Sequence, residues 1–205
     1  MLVEQVGTRV TSAASGGVGR DSRDNAIGPT KGGQSSLTAE FAGLGGDSKY
    51  VKTGAFVTQY YPIWLGHVLA GRVEAGYGFG WADEPLPVFE RFYLGGPNSI
   101  RSFKFRQVSP KDESGLRIGG SSEVLGNAEY IIPLPFGLRL AGFFDVGNVY
   151  GFGTKFDLTD LKKGVGGGVR WQSPFGPIRV DYGINPDRKP GEDFGAFNFS
   201  VGTPF

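Results

Sequence analysis

The sequence contains no cysteine and only one histidine, His67. Disulfide frameworks, zinc–thiolate centres and cysteine nucleophiles are excluded, as is any site that needs two imidazoles. Neither sign of charge is in excess, with 21 Lys and Arg against 20 Asp and Glu. That balance gives no support to a nucleic-acid partner held by bulk charge. No run of about 18 apolar residues occurs, so a transmembrane helix is excluded. A membrane is not, because a barrel strand shows only alternate residues to lipid. Helical periodicity is nearly absent as well. Gly and Pro interrupt almost every window, and only Phe156 to Lys163 is expected to make a short helical turn. The opening MLVEQVGTRV lacks the basic and apolar regions of a signal peptide.

What is present is glycine, 36 of 205 residues, and aromatics, at 14%. No Gly-X-Y period accompanies the glycine, so the chain is not collagen-like, and it is too aromatic for a disordered segment. The length fits a single domain over residues 1–205.

The recurring signal is alternation with period two, the mark of strands with two unlike faces. Phe197, Phe199, Val201, Thr203 and Phe205 share one face, and Asn198, Ser200, Gly202 and Pro204 the other. Leu138, Leu140, Phe144 and Val146 alternate with Arg139, Ala141, Phe143, Asp145 and Gly147. Val124, Ala128, Tyr130 and Ile132 alternate with Leu125, Asn127, Glu129 and Ile131. Similar patterns surround Val73, Val169, Val180 and Leu37, Tyr50 to Tyr61 is apolar on both faces, and Arg9 to Asp21 is weakly patterned. About nine strands are expected.

A soluble sandwich also alternates. Two features favour a membrane barrel over one. Aromatics lie near strand ends, at Tyr60, Tyr61, Trp81, Tyr130, Tyr150, Trp171, Tyr182 and Phe205, as in interfacial girdles. The opposite face carries mid-strand charges and many glycines, which suits a polar lumen. Connections are also of two sorts. Those at Pro62, Pro133 and Pro174 are tight, whereas Asp21 to Gln34, Gly151 to Lys163, Asn185 to Asp193 and Ala82 to Ser122 are long. Short turns on one side and long loops on the other are expected of a barrel.

The longest loop contains FERFYLGGPNSIRSFKFR, with a strong turn at Gly95-Gly96-Pro97-Asn98 and Arg101 between Ile100 and Phe103. Composition alone makes Arg101 a solvated loop residue. The sharper reading folds the loop into the lumen, where Glu129 and Asp145 on neighbouring strands would receive the guanidinium. Chemistry-bearing patterns are otherwise weak. Glu123 with Glu129 and Asp145 with Asp160 have no oriented nucleophile, and Gly166 to Gly168 lack the context of a phosphate loop. Asp21, Asp24 and Asp181 are acids for a loop calcium, but without a ligand spacing. No enzyme activity, metal or cofactor is expected.

Phe89 to Phe103 resembles the inward-folded loop of the BamA family of outer-membrane assembly factors, also called the bacterial surface antigen family. Ile100-Arg101-Ser102-Phe103 stands where the family reads Val-Arg-Gly-Phe or Tyr. GGSSEVLGNAEYIIPLPFGLRLAGFFDVGNVY resembles the next two strands, and GVGGGVRWQSPFGPIRVDYGINP with FNFSVGTPF the last three. GRDSRDNAIGPTKGGQ resembles the turn before the final half of the barrel. The resemblance implies an all-β, antiparallel transmembrane barrel in the bacterial outer membrane, with this chain supplying the last nine of 16 strands. It implies no room for POTRA domains. It assigns Gly95, Gly96, Ile100, Arg101, Ser102 and Phe103 to the lumen loop and Glu129 and Asp145 to its anchor. Phe197, Phe199, Val201, Gly202 and Phe205 look like the C-terminal β-signal. If the position of Ser102 requires a positive φ, serine costs about 1 kcal/mol there and the loop tip rearranges.

The implied function is ATP-independent folding and insertion of outer-membrane clients. The implied partners are membrane lipids, unfolded clients, accessory lipoproteins, and the missing N-terminal half or a second copy that would close the sheet. Nine strands are odd in number and leave edges that lipid cannot satisfy. A protein-secretion transporter of the same superfamily, a small porin-like barrel and a soluble sandwich stay open.

Overall fold

The computed structural model describes residues 9–154, 156–173 and 176–201. Nine strands follow one another: β1 Thr11–Asp21, β2 Gly32–Gly46, β3 Tyr50–Pro62, β4 Val68–Gly80, β5 Ser122–Pro133, β6 Leu138–Tyr150, β7 Lys162–Ser173, β8 Gly176–Ile184 and β9 Gly195–Val201. They form one antiparallel sheet in sequence order. Among the described residues the sheet is open and forms part of a barrel wall, with β1 and β9 each keeping one unpaired edge.

The alternation sets the two faces. Leu37, Val57, Val73, Phe144, Phe197 and Phe199 all stand exposed on the outer face, between 45% and 68% accessible. So much contiguous apolar surface suits lipid and not water. The inner face of β5 carries Glu123, Leu125, Asn127, Glu129 and Ile131, all buried. Lipid outside and a packed lumen inside thus follow from period two alone.

Several expectations need correction. Phe156 to Lys163 is not helical; among the described residues the only helical pieces are single 3-10 turns at Trp64–Gly66, Val88–Glu90 and Pro135–Gly137. Tyr60 is 3% exposed and faces the lumen, so it is not a girdle residue. Tyr150 keeps the outer-face parity of Leu140 and Phe144 but is covered by the 151–161 connection, its hydroxyl donating to the Asp157 carbonyl. Antiparallel strands put successive connections at opposite ends. The ten-residue connection 22–31 therefore lies on the side of the tight turns 63–67 and 134–137. The three-residue connection 47–49 lies on the side of the long loops 81–121, 151–161 and 185–194. The separation of short from long is incomplete. The expected turn at Pro174 and the last four residues, including Gly202 and Phe205, fall outside the described residues.

Two tight turns are built alike. Leu65 and Phe136 have φ of 55° and 63°, and each is followed by a positive-φ glycine, Gly66 or Gly137. Paired left-handed residues match the right-handed twist of the flanking strands. The leucine and phenylalanine accept a strain of about 1 kcal/mol to make that turn.

Candidate functional site

The 41-residue connection 81–121 does not project from the sheet. It lies against the inner face, folded on itself by the bridges Phe92 to Gly120, Leu94 to Val108 and Lys111 to Arg117. Its apolar side chains Phe92, Leu94, Ile100, Phe103 and Val108 pack on Leu125 of β5 and Val149 of β6. Glycines on the strands clear the space. A Cβ on Gly76 would lie 2.4 Å from the Phe92 ring. The tip turns at Gly95 and Gly96, with φ of 106° and 102°, and a Cβ on Gly95 would meet the Lys104 carbonyl at 2.3 Å. The backbone N–H of Gly95 donates to Ser99 Oγ at 2.6 Å, and that of Gly96 to the Phe103 carbonyl at 2.8 Å. These contacts aim Ile100 to Phe103 at the lumen wall.

Arg101 is 1% exposed. Its Nε and Nη2 donate to Asp145 Oδ2 and Oδ1 at 2.8 and 2.6 Å, a bidentate pair, and Nη1 donates to Glu129 Oε2 at 2.9 Å. Its backbone N–H also donates to Asp145 Oδ2, at 2.9 Å. The guanidinium lies 3.6 Å from the centre of the Phe143 ring, close enough for a cation–π contact. Asn127, opposite Asp145 on β5, donates to Asp145 Oδ1 and to the Ser99 carbonyl. Asn198 of β9 donates to the Arg101 carbonyl at 2.8 Å, so the loop is tied to the last strand too. Burial pulls the Arg101 guanidinium toward deprotonation, but the hydrogen bonds to Asp145 and the charges of Glu129 and Asp145 outweigh it and raise its pKa.

The sequence reading missed half of this cluster. Arg170 of β7 donates to Glu129 Oε1 and, at 2.5 Å, to Asp181 Oδ1. Arg179 of β8 donates to Asp181 Oδ2 at 2.6 Å and to the Pro97 carbonyl of the loop at 2.7 Å. Asp181 also stands 4.0 Å from Arg101 Nη1. It sits inside β8 and not in a loop, so the calcium reading of this residue is wrong. Three guanidinium groups thus interlock with three carboxylates. The signal was present in the alternation, which already placed Arg170, Arg179 and Asp181 on the inner face. Among the described residues no group of acids and histidines is arranged for a metal.

Ser102 departs from the family motif without strain. It is not among the positive-φ residues, so the expected penalty does not arise. Its hydroxyl donates to the Lys163 carbonyl at 3.0 Å. A Cβ at Gly164 would lie 2.6 Å from that hydroxyl, and one at Gly183 would lie 2.6 Å from the Arg101 carbonyl. The inner-face glycines of β7 and β8 are therefore the seat of the loop. Phe197, Phe199 and Val201 are exposed on the outer face of β9, with Gly202 and Phe205 beyond the described residues. His67 Nδ1 and the Tyr130 hydroxyl are 2.7 Å apart at the turn side.

Comparison with known proteins agrees with this fold. The Omp85 superfamily domain matches residues 2–205. The outer membrane protein assembly factor BamA of Nitratidesulfovibrio vulgaris is 39% identical over the whole chain, which spans 27% of that protein. BamA of Neisseria meningitidis is 31% identical over 92% of the chain and 28% of that protein. The mouse sorting and assembly machinery component 50 homolog is 30% identical over 80% of the chain and 35% of that protein. The chain therefore spans 27% to 35% of the length of these three relatives. The crystal structure of BamA from Haemophilus ducreyi lacking POTRA domains 1-3 superimposes with a TM-score of 0.81, at 24% identity, over 92% of this chain and 41% of that one. That likeness gives the fold. The apolar outer face and these relatives together place the chain in the outer membrane. It belongs to the Omp85 superfamily and corresponds there to the C-terminal part of a BamA barrel.

Proposed function

We propose that the protein carrying this chain folds and inserts outer-membrane β-barrel proteins without ATP. The observation that carries this reading is the buried Arg101 cluster, which holds a 41-residue loop inside a lipid-facing sheet, in a chain similar throughout to assembly factors. The work divides into three physical parts. A short or mismatched wall perturbs the bilayer and lowers the barrier to insertion. A weakly paired strand edge offers main-chain donors and acceptors to an incoming strand. The loop, locked by Arg101 to Glu129 and Asp145, stiffens the wall and keeps the lumen filled. A filled lumen speaks against an open porin-like channel.

The partners in this reading are outer-membrane lipids, unfolded clients, accessory lipoproteins, and the strands that complete the barrel, from the rest of the protein or a second copy. Phe197, Phe199 and Val201 with Gly202 and Phe205 would form the signal by which this barrel is itself recognised for insertion. Depletion of the protein in its host tests the function. Loss of folded β-barrel proteins from the outer membrane, with secreted proteins still exported, supports it. Loss of export with normal barrel content would instead identify a secretion transporter.

A further inference from the structure

Three arginines stand side by side on the inner face at the turn side. Arg139 of β6 is the direct partner of Arg170 of β7, which is the direct partner of Arg179 of β8. Like charges directly opposite one another destabilise a sheet, so each needs an anion. Arg170 has Glu129 and Asp181, and Arg179 has Asp181. Arg139 has no carboxylate among the described residues; its Nη2 donates only to the Gly28 carbonyl of the 22–31 connection, at 3.2 Å. Arg139 is thus the member of this row that meets no carboxylate among the described residues.

A recess of about 70 Å³ lies beside it, lined by Ile27, Ile131 and Pro177 together with Arg139, Arg170 and Glu129, whose carboxylate oxygens are taken up by Arg101 and Arg170. Ile27 lies in the connection 22–31 and Ile131, Arg139, Arg170 and Pro177 near the strand ends on the same side, so the recess is the turn-side mouth of the lumen.

We propose that this mouth is an anion-binding site and that its ligand is a carboxylate carried on an apolar or aromatic body, the acidic group of a polypeptide segment. A guanidinium fork matches the two oxygens of a carboxylate. The neutral Gly28 carbonyl is the weaker acceptor and gives way to it. Phosphate would fit the same fork but has no apolar body to cover Ile27, Ile131 and Pro177, which line the mouth beside the guanidinium groups. The apolar walls instead take the body of the ligand. The site is separate from the proposed assembly role and stands or falls without it.

The test titrates N-acetylphenylalanine, its carboxamide and inorganic phosphate into the full-length protein in detergent micelles, with calorimetry as the readout. The acid is expected to bind, and the carboxamide and phosphate to bind at least about tenfold more weakly. Arg139→Gln keeps a donor for Gly28 and is expected to weaken the acid by about tenfold or more. Absence of binding by the acid, or equal binding of acid and carboxamide, overturns the site. Phosphate binding as tightly as the acid overturns the carboxylate assignment. Unchanged affinity in Arg139→Gln removes Arg139 from it. Should that variant misfold, the comparison of acid with carboxamide on the native protein decides alone.

Discussion

Arg101→Ala removes a guanidinium that makes three charge-assisted hydrogen bonds to Asp145 and Glu129 at 2.6 to 2.9 Å. At about 1.5–3 kcal/mol each, simple addition gives roughly 5–9 kcal/mol. The actual cost is smaller, because the carboxylates keep other partners. Asp145 retains the Arg101 backbone N–H and Asn127, and Glu129 retains Arg170. Breaking a buried pair from one side costs about 3–5 kcal/mol, and that is the expected loss here. For a domain of this size each kcal/mol moves the unfolding midpoint by about 2–4 °C, so the variant should unfold roughly 6–20 °C lower. Heat-dependent gel migration of the detergent-solubilised protein reads this directly. Arg101→Lys should fall between, since an ammonium cannot serve Asp145 bidentately. A midpoint for Arg101→Ala within about 2 °C of the native protein would refute the anchoring argument, because it would mean a loss below about 1 kcal/mol.

Other perturbations separate the parts of the site. Gly183→Ala places a Cβ 2.6 Å from the Arg101 carbonyl, against backbone and not a flexible tip. It should release the loop and increase protease cleavage between residues 81 and 121; native-like resistance would contradict the close seating. Ser102→Ala loses the hydrogen bond to the Lys163 carbonyl and should cost about 1 kcal/mol in urea unfolding, whereas stabilisation would show that serine is strained there. Glu192 accepts from Lys162, the Lys189 backbone and Asn185. Burial raises its pKa, but those hydrogen bonds outweigh that and hold it below the usual value. A depressed carboxylate stabilises the fold above its unfolded pKa and stops doing so as pH falls through its folded one. Amide exchange at Lys189, corrected for intrinsic rates, should thus lose protection only below the ordinary glutamate range; loss near neutral pH would contradict it.

The wall of the barrel was legible because a lipid-facing strand and a packed lumen impose opposite demands on adjacent residues. Phe197 and Asn198 show this in one step, the first 68% and the second 7% exposed. Tyr60 was misplaced because an aromatic near a strand end suits either face, and only register decides. The side on which 22–31 lies needed no structure, only strand counting, since successive antiparallel connections alternate. For Arg101, Glu129 and Asp145, the family motif pointed to residues that the structure brings into contact. The partners of Arg170 and Arg179 were not legible. Both residues were on the correct face, but Arg179 reaches Asp181 along its own strand, whereas Arg170 reaches Asp181 diagonally, over room left by Gly168, and Glu129 across β6. A Cβ on Gly168 would lie 1.9 Å from Asp181 Oδ1. That room is invisible until strand order and register are known.

The most direct measurement reconstitutes the full-length protein in liposomes, adds a urea-unfolded outer-membrane barrel protein without ATP, and follows its folding by the heat-dependent shift in gel migration. Client folding faster than in empty liposomes, and slower again with Arg101→Ala, is the expected result. A folding rate equal to that in empty liposomes, with the reconstituted barrel itself intact, would contradict the proposed function.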